Sequence, residues 1–299
     1  MSGTRPAHLS SGLLLAAAGS IAFSGKAIIV KLAYRHGVDA VTLLMYRMLL
    51  ALPMFLTMAW WAGRGQPRLQ MRDWLGILGL GFSGYYLSSF LDFWGLEYIS
   101  ASLERLILYL NPTLVLVFGW IAYRKRISPW HAAGMAISYC GVLLVFGHEV
   151  SLQGSQTALG ALLVFASAVT YAVYLVYSGE FVQRLGSLRL VGLASTVACL
   201  FCIAQYVLLR PIDSALSVPA PVLWLSLLNA VACTVVPVLL VMMAIERIGA
   251  SSTAQIGMVG PMSTILMGVW LLGEPFTLWV VAGTVLVVSG IFVFSRAGR

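Results

Sequence analysis

The chain has 299 residues, of which 60% are apolar and 9% charged, with 18 Lys and Arg against 10 Asp and Glu. A soluble domain carries about 25% charged residues, and the mean hydropathy here is +0.94. So few charges cannot solvate a surface of this size, which excludes a cytosolic enzyme and a disordered chain, and points to a protein solvated by lipid.

A membrane span needs about 20 apolar residues to cross roughly 30 Å of hydrocarbon. In chain order the apolar runs are 11–30, 41–61, 74–96, 101–123, 130–147, 158–178, 190–209, 222–245, 251–272 and 278–294. They lack the strict alternation of barrel strands. The expected fold is therefore all-α and polytopic, with ten transmembrane helices and no soluble catalytic domain. The first run, after Arg5, has a weak cleavage site at Ala22, Phe23 and Ser24. It is read as a span and not a signal peptide, because it has a partner in the second half.

The basic residues give the expected orientation. With the N-terminus inside, Arg5, Arg64, Arg68, Arg72, Arg124, Lys125, Arg126, Arg184, Arg189, Arg247, Arg296 and Arg299 face the cytoplasm. Only Lys31, Arg35 and Arg210 face the other side. This positive-inside bias predicts a multi-pass inner-membrane protein with both termini cytoplasmic. The net charge of +8 is thereby a topology signal and implies no nucleic-acid partner.

Residues 97–145 align with 246–294 at an offset of 149 without a gap, pairing Glu97 with Glu246, Pro112 with Pro261, Gly119 with Gly268, Trp130 with Trp279, Gly134 with Gly283 and Gly141 with Gly290. Near the same offset Gly12 meets Gly160, and Trp74 meets Trp224. The expected domains are 1–149 and 150–299, each a five-helix repeat. Five is odd, so the second copy enters from the opposite side. Such inverted repeats enclose a central cavity and exchange conformations in secondary transporters.

Tyr98, Ile99, Ser100, Ala101 and Ser102 followed by Asn111 and Pro112, their partners Ile248, Gly249, Ala250, Ser251 and Ser252 followed by Gly260 and Pro261, and Leu272, Gly273, Glu274, Pro275, Phe276 and Thr277 carry a resemblance. With Lys31 and Arg47, they make the chain resemble the EamA-type unit of the drug/metabolite transporter superfamily, including its aromatic amino-acid exporter branch. The resemblance implies ten helices around a central cavity that move small organic metabolites, commonly outward. In the first half Arg124, Lys125 and Arg126 stand where the second has the Leu, Gly and Glu274 run, so no shared role for that glutamate follows.

Ionisable groups inside a bilayer are costly unless paired, which makes each a functional candidate. Lys26, Arg47, Asp92, Glu104 and Arg105 qualify, and the topology puts all five at one depth. Two readings stand: an ion-pair brace, or groups that bind substrate or couple a proton. Glu104 and Arg105 align with Thr253 and Ala254, so the charge belongs to one repeat only. The third span carries a polar stripe at helical spacing, Gly81, Tyr85, Ser88, Ser89 and Asp92, with Tyr86, Phe90, Phe93 and Trp94 around it. Its counterpart, 231–240, reads as aliphatic around Pro237. Hydroxyls beside a carboxylate suit an amphipathic solute but also serve as helix glue. Tyr109, Asn111, Asn229 and Gln255 are further candidates, and Pro112 and Pro261 are expected gating bends.

Other features read as structural. Gly12, Ala16, Ser20 and Ser24 form a small-residue seam. Cys140, Cys199, Cys202 and Cys233 lie within spans and read as packing. Gly79, Gly81 and Gly84 match a dinucleotide fingerprint but lie in an apolar helix with no preceding strand. His8, His36, His131 and His148 are dispersed, so no metal and no cofactor are expected. The sequence predicts a monomeric transporter exporting amino acids, aromatic or large apolar ones favoured, by alternating access. Exchange of a nucleotide-sugar or phosphorylated solute is the alternative, with an intramembrane enzyme or a channel outside the transport class.

Overall fold

The computed structural model describes residues 6–124, 128–153, 156–241, 243–244, 247 and 259–296. Thr253, Ala254, Gln255 and the first part of the ninth predicted run lie outside the described residues, as do Arg5, Lys125, Arg126, Glu246 and Arg299.

Among the described residues the structure is helical, with no strand. The main helices are α1 (Pro6–Tyr34), α2 (Ala40–Gly63), α3 (Met71–Gly95), α4 (Ala101–Leu108 and Asn111–Tyr123), α5 (Pro129–Gln153), α6 (Gln156–Leu185), α7 (Ser187–Leu209), α8 (Ala220–Val241), α9 (Val259–Met267) and α10 (Leu278–Arg296). Eight are long and apolar enough to cross a membrane, and two shorter apolar helices, Ser263–Leu272 and Leu278–Val293, follow. The connection 210–221 holds a short helix, Ile212–Leu216, pinned by Tyr206, whose hydroxyl lies 2.7 Å from that of Ser214.

Local chemistry accounts for the helix ends. Gln70 and Asp73 form a capping box at the start of α3, and the Asp73 carboxylate also pairs with Arg184 of α6. The Ser100 hydroxyl caps α4 by accepting from the Leu103 amide at 3.0 Å. The fourth run is not continuous: α4 breaks at Tyr109 and Leu110, and Pro112 sits in the first turn of its second segment, where a missing amide hydrogen costs nothing. Pro261 is the third described residue of α9.

Among the described residues there are three π turns: Gly81–Leu87 in α3, Val231–Val235 in α8, which begins 150 residues later, and Gly268–Leu272 at the end of α9. In α8, Pro237 lacks the amide hydrogen that would continue the ladder. Within the π turn the Thr234 hydroxyl donates to the Asn229 carbonyl at 2.8 Å.

The helices interlock across the two halves of the chain. α1 packs on α8 and α9, while α6, at the corresponding place in the second half, packs on α3 and α4. α2 packs on its own counterpart α7, and α5 on its counterpart α10. The α5–α10 crossing rests on glycines. A methyl group on Gly141 would lie 2.7 Å from the Gly283 carbonyl oxygen, and one on Gly290 would lie 2.6 Å from that of Gly134. Exchanging the aligned partners Gly134 with Gly283 and Gly141 with Gly290 turns the first contact into the second, so the crossing has a local two-fold. The core between α1, α2 and α8 is built from residues such as Ala27, Val30, Leu43, Leu44, Phe55 and Ala230.

Trp60, Trp61, Trp74, Trp130, Trp224 and Trp279, near the ends of their helices, are all exposed, as interfacial tryptophans are. Serines of the α1 seam face α9: Ser24 donates to the Gly260 carbonyl at 2.8 Å, and Thr264 donates to the Ser24 carbonyl at 3.3 Å. Cys199, Cys202 and Cys233 are buried, whereas Cys140 is exposed.

Candidate functional site

Four of the five embedded charges meet in one cluster. Lys26 of α1 holds Asp92 of α3 at 2.5 Å and Glu104 of α4 at 3.4 Å. The Arg105 guanidinium lies 3.8 Å from the Glu104 carboxylate and donates to the Phe23 and Ser24 carbonyls at 3.4 Å each. Asp92 and Glu104 are 2% and 0% exposed, so their charges depend on these partners and not on solvent. A lysine shared by two carboxylates can turn toward either, since its ammonium is a compact charge on a flexible stem.

The fifth charge, Arg47 of α2, stands beside this cluster. Its guanidinium lies over the Phe93 ring, 5.1 Å from the centroid, and its Nε donates to the Thr234 hydroxyl of α8 at 3.0 Å. Phe93 directly follows Asp92 in α3, so the ring and the carboxylate come from one turn.

Around the cluster, Tyr109 at the break in α4 faces Gly260 of α9. A methyl group there would meet the hydroxyls of Ser20, Tyr109 and Ser24 at 3.0, 3.0 and 3.1 Å. Asn111 begins the second segment of α4 with its amide oxygen buried and without a hydrogen-bond partner among the described residues.

The polar stripe of α3 does not stay together. Gly81 packs on α7, where a methyl group would lie 2.6 Å from the Ala194 carbonyl oxygen. Tyr85 meets Tyr174 of α6, hydroxyl to hydroxyl at 3.2 Å, and Tyr171 stacks on Tyr174. Ser88 pairs with Ser167 of α6 at 3.1 Å. Only Asp92 reaches the charge cluster, while Ser89 is half-buried. Of the surrounding rings, Tyr86 packs with Phe82 and Phe201, and Phe90 stacks on the exposed Trp94.

Sequence reasoning passed over Thr234. The run containing it reads as aliphatic, yet its single hydroxyl bonds the buried Arg47. The available signal was a lone Thr three residues before a helix-breaking proline. Also unforeseen is a polar chamber of about 440 Å³ near the Lys31 end of α1, lined by Lys31, Arg35, Glu97, His148, Glu149 and Glu274 among others. Lys31 donates there to the Leu96 and Ile99 carbonyls at 3.1 and 2.8 Å, and Arg35 to the Leu272 carbonyl at 2.5 Å. Outside the spans, the Glu97 carboxylate accepts from the Ala40 amide at 2.8 Å at the start of α2. Burial raises its carboxyl above the usual range.

Comparison with known proteins places these features in context. The sequence profile of the EamA-like transporter family matches twice, over residues 10–147 and 158–296. Uncharacterized transporter YcbK of Bacillus subtilis (strain 168) is 32% identical over 288 residues, covering 92% of this chain and 89% of that protein. An uncharacterized transporter of Archaeoglobus fulgidus is 24% identical over 284 residues, covering 94% and 96% respectively. A protein crystal structure, 19% identical, superposes with a TM-score of 0.66 over 96% of this chain and 97% of the other, a likeness of fold.

Proposed function

This chain belongs to the EamA-like transporter family, and from that premise we propose that it is a secondary transporter exporting amino acids, aromatic or large apolar ones favoured, across the inner membrane by alternating access. In this reading the chain forms ten transmembrane helices as two inverted five-helix repeats, 1–149 and 150–299, with both termini cytoplasmic. It acts as a monomer without metal or cofactor.

The observation that carries the substrate class is the sharing of Lys26 between Asp92 and Glu104. Buried charges are tolerated only when each has a partner. In the empty site the cation and the two carboxylates partner one another. A zwitterion can enter such a site by exchange: its ammonium takes a carboxylate, and its carboxylate takes a cation. Charge stays compensated at each stage, so loading does not strand an ion in low dielectric. A dianion such as a nucleotide-sugar brings two negative charges beside Asp92 and Glu104 and lacks this balance. The rings on α3, with Phe90 stacked on Trp94 and Tyr86 packed on Phe201, favour an apolar or aromatic side chain.

The packing of α1 on α8 and α9, and of α6 on α3 and α4, supports alternating access. Each half holds the first helix of the other, the build that in inverted-repeat transporters lets two related arrangements have similar energy. Pro112 and Pro261 are the proposed gating bends of α4 and α9.

The test is flux in proteoliposomes. Saturable amino-acid uptake, with amino acids competing among themselves, is the expected result. Exchange of sugar nucleotides without amino-acid flux replaces this reading with the phosphorylated-solute one. Unsaturable conductance indicates a channel, and chemical turnover of the solute an enzyme. An imposed pH gradient separates a proton-coupled carrier from a facilitator.

A further inference from the structure

We propose that Arg47 is a built carboxylate site, positioned by Thr234 from the opposite half of the chain; the assignment rests on the amino-acid reading above and names the group that holds the solute's acid end. The charge count points to it first. Three embedded cations, Lys26, Arg47 and Arg105, face two embedded carboxylates, Asp92 and Glu104, so one positive charge is in excess. Lys26 and Arg105 both have carboxylates within 4.0 Å. Among the described residues Arg47 has none. It is 6% exposed, and its NH1 nitrogen is buried without a hydrogen-bond partner among the described residues. A buried guanidinium donor left unmade is costly, and a monoanion supplies what the empty site lacks.

The guanidinium is also held in plane. Phe93 lies beneath it, and Thr234 takes its Nε. Thr234 is fixed in turn by donating to the Asn229 carbonyl, five residues earlier, across the π turn of α8. π turns are rare and concentrate at functional sites. A planar fork locked at Nε and on one face presents its terminal nitrogens in the geometry that recognises a carboxylate. The same helix carries a second buried polar group. The Asn229 side chain is 0% exposed, and its amide nitrogen and oxygen are both unpartnered among the described residues.

The experiment uses the full chain in proteoliposomes loaded for counterflow of labelled tryptophan. Three unlabelled competitors are added: tryptophan, tryptamine, which lacks the carboxylate, and indole-3-propionate, which lacks the amine. In the wild type tryptamine is expected to compete about tenfold or more weakly than tryptophan. Arg47→Gln erases that difference, and Arg47→Lys keeps part of it. Thr234→Val raises KM for tryptophan more than it lowers kcat and narrows the tryptophan-to-tryptamine ratio, which a purely structural role would not do. If Arg47→Gln does not fold, Arg47→Lys and Thr234→Val carry the test. Equal competition by tryptamine and tryptophan in the wild type, or a full difference kept in the folded variants, overturns the carboxylate site and leaves the amino-acid reading standing. Absence of flux for every amino acid in a broad panel overturns that reading, and the carboxylate site with it.

Discussion

Glu274 and Ser102 meet across the two halves of the chain: the carboxylate accepts from the Ser102 hydroxyl at 2.7 Å and, with its other oxygen, from the Ala101 amide at 2.7 Å. An acid from the α9–α10 turn thus caps the first turn of α4, where unpaired amides and the helix dipole favour a negative charge. The turn that aims it depends on Gly273 at φ +72°, a conformation that costs other L-residues about 1–2 kcal/mol. At the aligned place in the first half stands Lys125, which has the wrong sign for this contact. Removal of the cap in Glu274→Ala is expected to speed amide hydrogen exchange in the first turn of α4 and to lower thermal stability by about 1–2 kcal/mol. Gly273→Ala, which keeps the carboxylate and disturbs its aim, is expected to do the same more weakly. Unchanged exchange at residues 101–104 in Glu274→Ala contradicts the cap.

The Lys26, Asp92 and Glu104 cluster separates bracing from transport. Breaking a buried pair by removing one partner costs about 3–5 kcal/mol, whereas replacing both ends by apolar groups is often neutral. Lys26→Met and Asp92→Leu alone are therefore expected to lower the melting temperature strongly. The double variant Lys26→Met with Asp92→Leu should recover much of that loss, with a coupling well outside additivity. Flux per folded molecule should fall in all three. Flux that tracks only the amount of folded protein assigns the cluster to bracing instead.

Composition and period made the helices legible, because an apolar run of span length has few alternatives in lipid. The repeat singled out Gly134, Gly141, Gly283 and Gly290 as aligned pairs against an aliphatic background, but that they pack on one another at the α5–α10 crossing came from the structure. The stripe on α3 was not legible as a face, and its π turn is the reason. An extra residue in one turn rotates everything after it by about 100°, so Gly81, at the start of the π turn, packs on α7 while Tyr85 and Ser88 reach α6; Asp92 lies one regular turn beyond Ser88, where α3 meets α1 instead. A fixed spacing of three and four assumes an unbroken helix, and Gly81–Leu87 breaks that assumption. Thr234 and Glu274 were illegible for another reason. Their partners lie 187 residues away for Thr234 and 172 for Glu274, and no local pattern encodes such contacts.

The glycine crossing predicts paired losses. A methyl group on Gly141 meets the Gly283 carbonyl oxygen at 2.7 Å and the Leu286 Cβ at 2.9 Å, and one on Gly283 meets the Gly141 carbonyl oxygen at 2.8 Å. Backbone atoms cannot swing aside, so α5 and α10 must separate. Gly141→Ala and Gly283→Ala are each expected to cost about 1–3 kcal/mol by thermal unfolding in detergent. Once one substitution has parted the helices the second has less to displace, so the double variant should cost less than the sum. Strict additivity would place the two glycines in separate contacts.

Asp39 and Glu97 lie together between spans and titrate in opposite senses. Burial pushes the Asp39 carboxyl upward, but the Thr42 hydroxyl at 2.5 Å and the Arg210 guanidinium at 2.9 Å hold it below its ordinary value. A carboxyl depressed on folding adds stability above its unfolded pKa, about 3.9 for Asp, and loses it as pH falls through the lower folded value. The Arg210–Asp39 pair is partly exposed and worth about 0.5 kcal/mol. Asp39→Asn should therefore melt slightly below the wild type at pH 7, and the two should converge in strong acid. Glu97 behaves oppositely. Burial raises its carboxyl, and Asp39 adds to the effect, against the bond from the Ala40 amide. Its charged form burdens the fold at pH 7, and that burden lifts as pH falls through the raised value. Glu97→Gln keeps an acceptor for the Ala40 amide without the charge, so it should match or exceed wild-type stability at pH 7 and lose that advantage in acid. Melting curves for both variants from pH 3 to pH 8 decide the signs, and a Glu97→Gln protein less stable than wild type at pH 7 reverses the second.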